Sequence, residues 1–93
     1  MIVGTARIEL HIPDAGSLKE KRAVVRSLRE RLINRLKVSA AEVDHLDLWQ
    51  RAVIGVAVVS GDRRIVDQVM SKVIKLCETD RRALVIDISV EIL

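Results

Sequence analysis

Three positive side chains, Lys19, Lys21 and Arg22, open one helix-forming segment, Ser17-Leu18-Lys19-Glu20-Lys21-Arg22. Their chemistry is anion binding: exposed N–H groups at a helix start already attract phosphate, and cations placed there strengthen the attraction. For the helix alone the placement is adverse, by about 0.3 to 1 kcal/mol for each first-turn cation. Positions 17–37 hold eight basic residues (Lys19, Lys21, Arg22, Arg26, Arg29, Arg31, Arg35, Lys37) against Glu20 and Glu30, a balance of +6. Eight basic and eleven acidic residues make up the remainder, so the net charge of +3 hides one cationic segment on a mildly anionic body. On a helical wheel Lys19, Arg22, Arg26, Arg29 and Lys37 fall within about 80°, with Arg29 expected near the centre of the apolar arc. Such a rail, interrupted only by Ile33, can follow a phosphate backbone. The competing assignment pairs these cations with Glu42, Asp44 or Asp47.

Other chemistry has less support. His11, Asp14, Asp44, His45 and Asp47 could gather at one end of a sheet, yet no HExxH or CxxC spacing accompanies them, and no metal site is expected. The four glycines lack phosphate-loop spacing, and no nucleophile stands beside a base, so the reading is a non-enzymatic protein without a cofactor. Cys77 is the single cysteine, which excludes an intramolecular disulfide and fits a reducing, cytoplasmic setting with the thiol in the core. Trp49 is the one aromatic ring among Phe, Tyr and Trp, and it reads as a rim-of-core anchor or a partner-binding residue. With no other ring available, base stacking on a sheet is not expected, and nucleic-acid contact should be to backbone and shape.

The elements that must position these groups are legible from periodicity. A chain of 93 residues, 49% apolar and 31% charged, suits one domain over residues 1–93 with a real core. Residues 2–12 alternate as a strand, Pro13 to Gly16 break it, and Ser17 with Glu20 forms a capping box for a helix to about residue 36. Residues 38–46 read as a polar edge strand. The apolar run 52–59 reads as a central strand, Asp62 caps a second helix to about Glu78, and residues 83–92 alternate as the last strand, with Leu84, Ile86, Ile88, Val90 and Ile92 on one side. No run is long and apolar enough for a membrane span, and Met1 to Arg7 carry no export pattern. The order βαββαβ predicts an α+β, ferredoxin-like two-layer sandwich, an antiparallel sheet of order 4-1-3-2 with both helices on one face.

That plan, together with Ser17 to Arg22, Ala41-Glu42-Val43-Asp44 and Leu48-Trp49-Gln50-Arg51-Ala52, resembles the YlxP-like family of small bacterial proteins over essentially the whole chain. The resemblance implies a ferredoxin-like domain encoded near genes for translation initiation and ribosome maturation, and it transfers no catalytic residue. The leading expectation is a binding protein that meets RNA or a ribosomal particle through Lys19, Lys21, Arg22, Arg26 and Arg29. Two alternatives stand beside it: a homo-oligomeric interaction module, such as a homodimer, using the open sheet face, and a regulatory domain binding a small anion at the helix start.

Overall fold

Strict alternation makes Ile2–His11 the first strand, β1, whose Ala6, Ile8 and Leu10 are buried on one side while Arg7, Glu9 and His11 face the other. The computed structural model describes residues 1–93 and continues with α1 (Leu18–Leu36), β2 (Ser39–Asp44), β3 (Arg51–Ser60), α2 (Arg63–Glu78) and β4 (Leu84–Ile92). The sheet is antiparallel in the order β2-β3-β1-β4, the expected ferredoxin-like topology. Ile8, Leu10 and Ile54 of the sheet meet Val25, Leu28 and Leu32 of α1 and Val66, Met70, Val73 and Cys77 of α2 in one core. Gly4 permits that closure, since a Cβ there would lie 2.5 Å from Val66 Cγ1.

Caps set the helix ends. Ser17 is extended, and its Oγ accepts from the Glu20 N–H at 3.1 Å. The Glu20 carboxylate reaches one residue further back than a capping box requires, to the Gly16 N–H. At the other end Lys37 takes the left-handed conformation, φ 57°, and its N–H donates to Ile33 O, which stops the helix before β2. Asp62 caps α2 by accepting from the Arg64 N–H at 2.8 Å.

One expectation fails in β4. The pairing of β1 with β4 shifts between Glu9 and Leu10, so Asp87 opposes Glu9 while Val85 opposes Leu10, and Ile86 is the extra residue. The bulge turns Val85 toward the core and leaves Leu84 and Ile86 exposed, which breaks the single apolar side that alternation alone assigns to this strand.

The turn from α2 to β4 is fixed to α1 by a charged joint. Asp80, almost fully buried, accepts from Arg31 and, at 2.8 Å, from Arg82, whose other Nη2 contact is Ser27 Oγ of α1 at 3.1 Å. Hydrogen bonds from the Arg82 side chain and N–H, then that from Arg31, hold the Asp80 carboxyl at about 2, well below its usual 3.8. A depressed folded-state value stabilises the protein above the unfolded value, and that contribution is lost as pH falls through the folded one. Asp80→Asn should therefore cost on the order of 1 kcal/mol near neutral pH, after allowance for solvent screening of the two arginines. Urea unfolding of the variant and the native chain should converge as pH falls from about 4 toward 2, and parallel profiles would refute the joint.

Candidate functional site

The site grows from the geometry of α1 above the free edge of β2. Lys21 lies four residues before Val25 and seven before Leu28, so the helical period points it inward, and it is fully buried. Its ammonium has three hydrogens and finds three acceptors: Glu42 Oε2 at 2.8 Å, His45 O at 2.9 Å and Leu46 O at 3.1 Å. The expected phosphate contact at Lys21 is thus overturned, because a buried ammonium with every hydrogen committed has none left for a ligand.

The remaining rail is free. Lys19, Arg22 and Arg26 are exposed, Arg29 is half-buried, and none of the four is in an ion pair. Arg29 is not at the centre of the apolar arc as expected; that place belongs to Lys21, and Arg29 lies on the flank. There it lines, with Arg22, Val25, Arg26, Ala41 and Glu42, a recess of about 360 Å³ between α1 and β2. A second recess joins Lys19 to Arg22, Ala23 and Arg26 along the same flank. Glu42 is the one acid in either lining, and Lys21 has already claimed it. Arginine suits such a trough, since its planar fork binds phosphate or carboxylate oxygens in pairs.

Next to the recess stands the β2–β3 connection. Val43 near the end of β2 and Leu46, Leu48 and Trp49 on the connection are each about half exposed, with Trp49 at 55%, so Trp49 is at the surface and not a rim-of-core anchor. The backbone beneath them is tightly held. His45 adopts φ 58°, an uncommon conformation for a side chain with a Cβ, and is kept there by its N–H to Asp44 Oδ1 at 2.8 Å and its Nε2 near Glu9 Oε1 at 3.1 Å. Gln50 Nε2 donates to Pro13 O at 3.1 Å and Ala15 O at 3.2 Å, tying the connection to the entrance of α1.

On the open sheet face Arg7 pairs with Asp44 at 2.9 Å and Arg51 with Glu9 at 2.7 Å, flanking a fully buried Val53. The hydrogen bond from Arg51, then that from His45, lowers the Glu9 carboxyl below its ordinary value. The His45 N–H does the same for Asp44, with Arg7 adding to it. These charges are paired, although Arg51 Nε is buried without a hydrogen-bond partner. His11 Nδ1 lies 3.2 Å from Gln50 O, and no three His, Cys, Asp or Glu side chains are grouped so that they could hold a metal ion. Burial pushes the Cys77 thiol up to about 11, so it is a packed core group with little thiolate character. No helix is long and apolar enough to cross a membrane.

Residues 3–90 match the family described as a protein of unknown function (DUF503). The chain belongs to that family. It is also 38% identical over 78 residues to the uncharacterized protein YlxP of Bacillus subtilis (strain 168), covering 84% of this chain and 85% of that one. The YlxP-like resemblance read from Ser17 to Arg22 and from the segments around Glu42 and Trp49 is confirmed.

Two features of the site were missed by sequence reasoning. The inward place of Lys21 was available from its spacing to Val25, Leu28 and Leu32. The Glu9–His45–Arg51 cluster had no local signal, because it depends on strand register. Removing the Lys21 ammonium strands Glu42 and two carbonyls, so Lys21→Ala should cost about 3 kcal/mol or more in urea unfolding. Lys19→Ala, at an exposed position, should stay within about 0.5 kcal/mol. Equal effects of the two would refute the buried clamp.

Proposed function

We propose that this protein is a non-enzymatic binding protein that holds RNA, free or within a ribosomal particle, through the cationic flank of α1. The observation that carries this reading is the recess in which Arg22, Arg26 and Arg29 face the β2 edge with no acid left to neutralise them. Lys19 extends the same flank toward the helix start. One turn of helix separates successive cations by about 5 Å, so the rail can meet several phosphates of one backbone in sequence. Lys21 is outside this contact set and acts on it indirectly by fixing the helix against β2.

Reversal of charge at Lys19, Arg22 and Arg26 tests the reading. These side chains are exposed, so the variant should keep its fold by circular dichroism. Its affinity for a structured RNA should fall at least tenfold at low salt, and the magnitude of the slope of log K against log salt should drop by roughly 2 to 3, close to one for each phosphate that is no longer neutralised. Unchanged affinity and slope would refute phosphate binding by this flank.

A further inference from the structure

We infer that the unpaired RNA strand, rather than duplex, is the ligand class of this site, and that Trp49 stacks on one of its bases while Arg22, Arg26 and Arg29 hold the adjoining phosphates. The inference rests on the RNA reading above and names the form of RNA it takes. Its starting point is a degree of anchoring that a mere connection does not need. On the connection Leu46, Leu48 and Trp49 stand half in water, yet the backbone carrying them is anchored by a buried lysine, a left-handed histidine and a glutamine bonded to two carbonyls. A loop held this firmly with its apolar groups outward is a prepared contact surface.

Charge selects the occupant. The connection and the cationic recess are fastened to one point, because the same Lys21 Nζ bonds Glu42, which lines the recess, and the carbonyls of His45 and Leu46, in the connection that carries Trp49. A ligand lying across both must offer a flat apolar surface beside regularly spaced negative charge. An unpaired nucleic-acid strand offers both in every repeat, a base face next to a phosphate. In a duplex the base faces are already stacked on one another, so duplex can satisfy the arginines alone. Trp49 lies beyond the sheet, on the connection, which reconciles one stacking ring with a sheet that has none.

The chain contains one Trp and no Tyr, so its intrinsic fluorescence is that of Trp49. Titration with a short oligoadenylate at low salt should quench that emission saturably, while a blunt RNA duplex of the same length should bind without quenching. Trp49→Ala, a change at an exposed position, should weaken oligoadenylate binding roughly tenfold or more by anisotropy of labelled RNA. It should leave duplex binding and its salt slope unaltered, and Trp49→Phe should restore most of the affinity. Oligoadenylate that binds without quenching, or binds equally well to Trp49→Ala, overturns the stacking inference and leaves phosphate binding standing. Absence of binding to either RNA overturns both. A blue shift of Trp49 on phosphatidylglycerol vesicles, with no response to RNA, overturns the inference in favour of a lipid surface.

Discussion

The buried ammonium of Lys21 is the interaction on which the arrangement of this molecule turns. Taking a charge out of water costs several kcal/mol, and that cost is offset only where geometry and hydrogen bonding are complete. Here three donors meet three acceptors, one of them the Glu42 carboxylate. Those acceptors come from an edge strand and from the connection that follows it, neither of which has much core of its own. Half-exposed β2 pairs with β3 alone, and Lys21 adds the fastening that apolar burial does not provide there. A hydrophobic residue in its place could fill the space but could not specify where the carbonyls of His45 and Leu46 must sit.

The clamp also decides the electrostatics of the surface. Seven of the sixteen Lys and Arg side chains are in ion pairs, and of the nine that are not, six lie between Lys19 and Lys37. Three of the acids elsewhere are engaged, Asp80 by Arg31 and Arg82, Glu9 by Arg51 and Asp44 by Arg7. Glu42 is placed to neutralise the recess and is held by Lys21 instead. The positive flank is therefore a product of how the acids are allocated as much as of how many cations α1 carries.

Most of the fold was legible because two periods were clean. Alternation in Ile2–His11 and the apolar arcs of both helices fix which side faces inward, and the break at Pro13 to Gly16 fixes where the first helix can begin. The β4 bulge was not legible: no glycine or proline marks it, and it arises from fitting β4 to β1 on both sides of Glu9. The site divides in the same way. Exposure of Arg22 and Arg26 follows from the wheel, as does the burial of Lys21 once its spacing to Val25 and Leu28 is taken at face value instead of its charge. What the wheel cannot supply is the partner, since Glu42 reaches Lys21 only through the register that sets β2 against β3.

The same allocation leaves the free protein with repulsion along its surface. Arg22, Arg26 and Arg29 stand at spacings of four and three on one helix face, and like charges so placed each oppose the helix by about 0.2 to 0.5 kcal/mol. Lys19 adds an adverse contact with the macrodipole at the helix start. No acid is in an ion pair with these four cations, while on the opposite flank of α1 Arg31 is paired with Asp80. One helix thus has Arg31 paired on the side of the α2–β4 turn and an unpaired row of Lys19, Arg22, Arg26 and Arg29 on the side of the β2 edge. An anion held along that row would remove repulsion that the folded chain otherwise carries, so its binding would also raise stability.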